Sequence, residues 1–199
     1  MQAALSESDP ALAPATEARL RDYAALLARW NRRINLIARG DEATIWERHI
    51  QDSLRLAPLI PPGTARAIDL GSGAGLPGLV LALATGIRFD LIESDRRKAA
   101  FLGEAQRVTG APVTIHCCRI ETAGLPPAPL VTARALASLD CLLGLAAPLL
   151  APGGTALFPK GARAADELAA ARRHWRMQVR QHGPAASPIL AVTDLARAA

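Results

Sequence analysis

Hydrophobic side chains near the start of the chain recur at three- and four-residue steps, the spacing that places them on one face of an α-helix. The first such stretch follows Thr16, a residue suited to begin a helix, and its apolar positions are Leu20, Tyr23, Leu27, Trp30 and Ile34. A second stretch covers residues 43–58 and ends before the proline–glycine run that closes at Gly63. The pattern therefore predicts two helices, preceded by a loose tail over residues 1–15.

The pattern changes after Gly63, where short apolar runs alternate with segments of helix length. We predict strands over the runs Ala65–Leu70, Arg88–Glu93, Val113–Cys118, Leu130–Ala133 and Thr155–Pro159. The intervening helices are predicted near residues 77–85, 95–108, 138–150 and 162–173. Two further strands, Met177–Gln181 and Ile189–Thr193, form a final hairpin. This alternation predicts an α/β fold with a seven-stranded, mostly parallel sheet, the outline of a Rossmann-like methyltransferase domain.

We expect one structural domain, in which residues 1–63 form a tail and helical extension packed on a core of residues 64–199. The chain has 199 residues, half of them hydrophobic, which is enough to bury a core and excludes a disordered protein. No apolar run reaches the roughly 18 residues of a membrane span, and no signal peptide is visible. The sequence therefore predicts a soluble, cytoplasmic protein with no membrane partner.

Net charge and cysteine content exclude only a few classes of function. The formal net charge is +5, and 21 of the 23 basic residues are arginine. Such an arginine bias, beside abundant alanine, is typical of a GC-rich genome, so the charge by itself is weak support for nucleic-acid binding. The three cysteines lack the C-x-x-C spacing of a zinc site, and their odd number argues against a disulfide framework. We predict no metal site.

The glycine-rich segment DLGSGAGLPG, residues 69–78, follows the first predicted strand and opens a helix. Glycines there let the backbone approach a ligand closely, since no Cβ intervenes. A dinucleotide fingerprint G-x-G-x-x-G begins at Gly73, so an NAD(P)-dependent oxidoreductase is one interpretation. Asp69, two residues before Gly71, favours another, because a carboxylate at a strand end repels a diphosphate and attracts the ammonium of an amino acid. S-adenosylmethionine has such an amino-acid end, and the order D-x-G-x-G-x-G favours that methyl donor.

Later segments fit the remaining parts of the donor. Glu93 ends the second predicted strand, where a carboxylate can accept hydrogen bonds from both ribose hydroxyls; the alternative is an exposed acid that caps the next helix. After the third strand, Ile120 can pack on an adenine, and Glu121 or the backbone can reach its amino group. Arg134, at the end of the fourth strand, can hold the donor carboxylate or a target phosphate through its forked guanidinium.

An ordered set of motifs runs from about Leu20 to Gly161. The set comprises Asn35-Leu36, His49-x-x-Asp52-Ser53, the glycine-rich segment, Glu93-Ser94, Phe101-Leu102, Arg119-x-Glu121, Thr132-Ala133-Arg134-Ala135 and Lys160-Gly161. In this order the motifs resemble the RsmG/GidB family of bacterial small-subunit ribosomal RNA methyltransferases. The resemblance implies methylation at N7 of a guanine in 16S rRNA, position 527 in the customary rRNA numbering, with S-adenosylmethionine as donor. It also implies contacts to the donor from Gly71, Leu76, Ile120, Glu121 and Arg134.

The implied reaction changes what the site must contain. Guanine N7 carries a lone pair and no proton, so its attack on a methyl group needs orientation but no general base, and we name no catalytic residue. His49 and Asp52 lie three residues apart on one helical face. They are predicted either to line the substrate side of the pocket or to form a buried His–Asp hydrogen bond that docks the N-terminal helices on the sheet.

Basic residues supply the candidates for RNA binding. Arg29, Arg32 and Arg33 form a run without acids, and with Lys160 they are predicted to bind phosphates; the alternative is a solvated helix face. The tryptophans are interpreted as core residues rather than platforms for stacked bases: Trp30, Trp46 and Trp175. The predicted partner is 16S rRNA in the small ribosomal subunit or its precursor, bound by a monomer. The competing interpretations are the oxidoreductase and a non-catalytic RNA-binding assembly factor with a residual cofactor pocket.

Overall fold

The first helix begins slightly before its predicted start. The computed structural model describes residues 12–198, and most of the predicted tail, residues 1–11, lies outside the described residues. Helix α1 spans Pro14–Asn31 and has its proline in the first turn. The fixed φ of proline suits that position, where its missing N–H breaks no helical hydrogen bond. The helix therefore begins before Thr16.

The strands of residues 12–198 form one sheet. They are β1 (Arg66–Leu70), β2 (Arg88–Ile92), β3 (Val113–His116), β4 (Ala128–Thr132), β5 (Leu150–Pro159), β6 (Trp175–His182) and β7 (Ile189–Arg197). Their order across the sheet is β3-β2-β1-β4-β5-β7-β6. Strands β1 to β5 are parallel, and β7 is antiparallel to both β5 and β6. This arrangement confirms the predicted seven-stranded, mostly parallel sheet with its final hairpin.

Helices cover both faces of this sheet. Those after α1 are α2 (Asp52–Leu54), α3 (Gly78–Thr85), α4 (Arg96–Thr109), α5 (Leu139–Ala146) and α6 (Ala164–Ala171). One face packs against α1, α3 and α4, and the other against α5 and α6. Along β1, Ala67 belongs to the first core while Ile68 and Leu70 belong to the second. Because both faces are covered, the strands are nearly continuous apolar runs. No helix within residues 12–198 is long and apolar enough to cross a membrane.

The second predicted helix, over residues 43–58, is broken into short turns of different pitch. A 3₁₀ turn covers Arg39–Thr44, a π turn covers Trp46–Gln51, and a single α turn, α2, follows. Another 3₁₀ turn covers Ala57–Leu59. The prediction of one continuous helix is wrong because apolar spacing reports the buried face and not which backbone carbonyl each N–H bonds.

The N-terminal extension shares its hydrophobic core with the sheet. Leu20 and Tyr23 of α1 lie in the same buried cluster as Leu79 of α3. The Tyr23 hydroxyl is buried and donates a hydrogen bond to the carbonyl of Ala74 in the glycine-rich loop. The extension is therefore attached directly to the loop at which the first strand ends.

The tryptophans pack as predicted, against protein rather than open to solvent. Trp30 donates its indole N–H to Glu104 and lies edge-on to Phe101, with ring centroids 5.8 Å apart. Trp175 is buried and donates to a carboxylate on α5. Trp46 is half-buried, with an arginine guanidinium 4.6 Å above its ring.

Candidate functional site

A first pocket opens at the carboxyl ends of β1, β2 and β4. Strand β1 lies between the other two, and the chain crosses there from one half of the sheet to the other. Ligands of open α/β sheets bind at such a switch point. Six of the predicted donor-binding residues line it: Gly71, Gly73, Glu93, Ile120, Glu121 and Arg134. These six residues therefore lie together, and their contact with the donor stays a prediction.

Two glycines shape the loop under the pocket. Gly71 has φ +60°, a left-handed conformation that glycine adopts without strain, and a Cβ there would lie 2.5 Å from Leu136 Cδ1. Gly78 has an ordinary φ, but a Cβ there would lie 2.6 Å from the Cβ of Asp69. Glycine at these positions lets the loop pack closely against its neighbours.

Glu93 is held by the backbone with its carboxylate at the pocket. Only 7% of the residue is exposed. Its Oε2 accepts a hydrogen bond of 2.8 Å from the N–H of Gly73, and its Oε1 accepts one of 2.8 Å from the N–H of Asp95. Each carboxylate oxygen has a further lone pair, so the group retains capacity to accept hydrogen bonds from a ligand in the pocket.

Two predicted donor contacts, Asp69 and Leu76, are buried beneath the loop rather than lining the pocket. Asp69 is fully buried, and its Oδ1 accepts a hydrogen bond of 2.6 Å from the hydroxyl of Thr132. Its Oδ2 has no hydrogen-bond partner among the described residues. Burial raises the pKa of Asp69 to about 6, although hydrogen bonds and the charge of Arg134 act in the opposite direction. Direct contact of Asp69 and Leu76 with a ligand stays a prediction.

A second pocket lies beside the first, and the two share one wall. Arg134, Ala135 and Leu136, in the loop between β4 and α5, line both pockets. On its other side the second pocket is lined by residues of the N-terminal extension and of the segment after β5: Leu36, Ile37, Arg48, His49, Asp52, Lys160, Arg163 and Glu167. Ala135 has φ +53°, a conformation that is unfavourable for a residue with a Cβ.

His49 and Asp52 both approach Arg134. The Arg134 Nη2 donates to His49 Nδ1 at 3.0 Å, and Arg134 Nη1 lies 3.5 Å from Asp52 Oδ2. Within the described residues no hydrogen bond joins His49 to Asp52, so the alternative of a buried bond between them is wrong. Their spacing along the helical segment instead places both beside the guanidinium.

The contacts of His49 define its protonation. A guanidinium only donates hydrogen bonds, so Nδ1 carries no proton and the neutral ring carries its proton on Nε2. That nitrogen lies 3.3 Å from Asp41 Oδ2. Burial and the charge of Arg134 lower the pKa of His49, despite the opposing charge of Asp41. His49 is therefore a neutral acceptor that fixes the orientation of Arg134.

The predicted RNA-binding residues do not form one group. Arg29, Arg32 and Arg33 border a depression at the end of α1, whereas Lys160 lines the second pocket. The predicted grouping is corrected by this placement. Lys160 is largely buried, with 9% of its side chain exposed, and its ammonium is paired with Glu167. Sequence reasoning missed Glu167, because nothing local links α6 to the loop after β4.

The fold is that of the Rossmann-like methyltransferases. The O-methyltransferase from Bacillus cereus, solved in complex with SAH, matches with a TM-score of 0.58 over 95% of this chain and 94% of that one, at 13% identity. A ribosomal protein L11 methylase from Lactobacillus delbrueckii subsp. bulgaricus matches with a TM-score of 0.60 over 73% of this chain and 78% of that one, at 14% identity. At these identities the likeness establishes the fold class.

Sequence relatives identify the family within that class. The family profile described as rRNA small subunit methyltransferase G matches residues 16–187. The chain is 54% identical over 181 residues to the ribosomal RNA small subunit methyltransferase G of Rhodospirillum centenum, covering 91% of this chain and 84% of the relative. It is 55% identical over 186 residues to the protein of the same name from Acidiphilium cryptum, covering 90% and 86%. The chain belongs to the rRNA small subunit methyltransferase G family, as its motifs predicted.

Proposed function

We propose that this protein transfers the methyl group of S-adenosylmethionine to N7 of a guanine in 16S rRNA, at position 527 in the customary rRNA numbering. The observation that carries the proposal is the pair of adjoining pockets with the common wall Arg134–Leu136, in a chain of this family. One pocket has the groups that suit a nucleoside with an amino-acid end, and the other is open for a base.

The side chains of the first pocket fit S-adenosylmethionine. Glu93 has acceptor capacity for ribose hydroxyls, and Ile120 offers an apolar surface for adenine with Glu121 beside it. The bare backbone of Gly71 allows close approach of the amino-acid end, and Arg134 can pair with its carboxylate. The buried charge of Asp69, with one oxygen unbonded among the described residues, lies beneath the loop and contributes a negative potential at this pocket that favours a cationic donor.

The chemistry requires positioning more than proton transfer. Bound S-adenosylmethionine supplies an electrophilic methyl group on a sulfonium. The lone pair of guanine N7 attacks without losing a proton, so the protein contributes by holding the base in line with the methyl and sulfur. His49 is neutral and bonded to Arg134 through the nitrogen that would otherwise accept a proton, which supports an orienting role rather than one as a base.

RNA outside the target base requires a separate surface. We assign that role to the exposed arginines at the end of α1, Arg29, Arg32 and Arg33, which border one depression. Contacts of this kind bind phosphates independently of sequence and weaken with salt. The protein is proposed to act in the cytoplasm as a monomer.

The proposal is tested by methyl transfer from labelled S-adenosylmethionine to 16S rRNA and to small subunits from cells that lack this gene. We expect the label in N7-methylguanosine at one position, which mass spectrometry of nuclease fragments identifies. RNase treatment should degrade the labelled product, because the label is carried by RNA. Arg134→Ala should abolish transfer, whereas Arg107→Ala, an exposed arginine of α4 that lines neither pocket, should preserve it. Unchanged rRNA in cells without the gene would refute the proposal.

Calorimetry separates the competing functions. Binding of NAD(H) with no binding of S-adenosylmethionine would support the oxidoreductase instead. A protein that binds the donor and rRNA but transfers no label to small subunits that lack the modification would instead be the assembly factor.

A further inference from the structure

An ion pair in the lining of the second pocket is attached to the backbone of the wall loop, which we define as residues 133–138 between β4 and α5. Lys160 Nζ lies 2.7 Å from Glu167 Oε2 and donates a hydrogen bond of 3.0 Å to the carbonyl of Ala137. The same Glu167 oxygen accepts a hydrogen bond of 2.7 Å from the N–H of Leu139. Two charged side chains, one directly after β5 and one from α6, therefore hold the end of the wall loop.

Both charged groups of this ion pair are bound to protein partners. Burial acts to raise the pKa of Glu167, but hydrogen bonds from Lys160 and Leu139 and the charge of Lys160 together lower it, so the carboxylate is ionised at neutral pH. Lys160 has 9% of its side chain exposed and directs its ammonium at two protein oxygens. These contacts leave it poorly placed to bind an RNA phosphate, although it lies at a pocket proposed to receive RNA.

The other end of the wall loop is held by the N-terminal extension. Arg134 donates to His49 Nδ1 at 3.0 Å and to the carbonyl of Arg48 at 3.4 Å. Between the two attachments, Ala135 has its unfavourable φ of +53° and Leu136 packs on Gly71. A strained residue persists only where its surroundings enforce the conformation, and the anchored ends of the wall loop provide that enforcement.

We infer that Lys160 and Glu167 are positioning residues for methyl transfer, because their ion pair fixes the wall loop that separates the donor pocket from the base pocket. The inference rests on the proposed function for the identity of the two ligands. Neither side chain needs to touch the donor or the reacting atoms, since both act through the backbone at Ala137 and Leu139.

The test compares Lys160→Met, Glu167→Gln and the double variant with Glu17→Gln, which breaks an exposed ion pair on α1. Methionine retains most of the aliphatic length of lysine, and glutamine retains an acceptor for the N–H of Leu139. For each protein we would measure donor affinity by calorimetry without RNA, hydrogen exchange of residues 133–139, and steady-state kinetics with rRNA at several salt concentrations.

We expect faster exchange at Leu139 in both single variants and donor affinity weakened by about tenfold, because a misplaced wall reshapes the donor pocket. kcat should fall by about 10- to 100-fold, while KM for rRNA and its salt dependence stay those of the unmodified protein. The double variant should lose less than the sum of the two single losses, since neither charge is then left without its partner. Glu17→Gln should match the unmodified protein in every measurement.

Three results would overturn the inference. A raised KM for rRNA with a shallower salt dependence in Lys160→Met would identify Lys160 as a phosphate contact. A lower melting temperature of the single variants, with unchanged donor affinity and unchanged hydrogen exchange in the wall loop, would show that the ion pair only stabilises the fold. Unaltered behaviour of both single variants would show that the wall loop needs no such support. Donor binding and exchange are measured without RNA, so failure of the proposed rRNA methylation is distinguishable from failure of this inference.

Discussion

Replacing Asp69 by asparagine should stabilise the folded protein at neutral pH and change how its stability depends on pH. Asp69 is fully buried, and its pKa is raised from 3.8 to about 6. Because the folded-state pKa lies above that of the unfolded chain, the native state holds the proton more strongly between those values. The contribution of Asp69 to stability is therefore greatest below about pH 4 and declines as pH rises through about 6.

The size of the effect follows from the shift of about two pKa units. At 1.36 kcal/mol per unit, the ionised carboxylate costs the native state about 3 kcal/mol above pH 6, relative to its protonated form. Asparagine has nearly the same shape, cannot ionise, and can still accept the hydrogen bond from Thr132. The free energy of unfolding of Asp69→Asn minus that of the unmodified protein should thus increase by about 2–3 kcal/mol between pH 4 and pH 7.

Urea unfolding of both proteins at several pH values measures this difference directly, and groups common to both proteins cancel. Asp194→Asn is the matched control, since Asp194 is exposed and has φ +52°, a conformation that asparagine tolerates. A difference between Asp69→Asn and the unmodified protein that stays constant with pH would refute the reasoning. Without ligand, the variant should be more stable at neutral pH, yet bind a cationic methyl donor more weakly, a combination expected where a functional charge is buried.

Three further predictions concern the glycine-rich loop and the proposed RNA surface. Tyr23→Phe removes the hydrogen bond to the glycine-rich loop and should lower the free energy of unfolding by about 1 kcal/mol in urea titrations; an unchanged value would mean that this bond adds no net stability. Gly71→Ala places a Cβ 2.5 Å from Leu136 Cδ1 at a positive φ, so it should lower the free energy of unfolding by about 1–3 kcal/mol and also weaken donor binding. Calorimetry showing undiminished donor affinity would contradict the close packing of the loop. Arg32→Ala and Arg33→Ala should each reduce the slope of log affinity for rRNA against log salt by about one, and an identical slope would remove these residues from the RNA surface.

The features predicted correctly from the sequence are those encoded locally. The strands were found because both faces of the sheet are covered, which makes each strand an apolar run, as in Arg66–Leu70. Gly71, Gly73 and Glu93 lie together at the first pocket because they sit at strand ends, and parallel strands bring those ends to one edge. Residue type and spacing carry that information without any knowledge of tertiary contacts.

The features that were missed depend on contacts between distant parts of the chain. Lys160 was predicted to bind phosphate. Its ion pair was missed because a lysine in a sequence does not reveal that Glu167 will lie 2.7 Å from its ammonium. The pairing of His49 with Arg134, rather than with Asp52, likewise joins residues 85 positions apart. The π turn over Trp46–Gln51 was missed because helices of different pitch place apolar residues on similar faces.

The common wall, Arg134–Leu136, is a structural route by which ligands in the two pockets can be thermodynamically linked. If binding in the first pocket shifts the wall and alters affinity in the second, binding in the second must alter affinity in the first by the same factor. With the donor in one pocket and a base in the other, as proposed, a substitution in the wall acts on both affinities. The two ligands then constrain each other during evolution as well. Residues that line only one pocket and do not contact the wall, such as Glu93 in the first and Leu36 in the second, can change one affinity without the other.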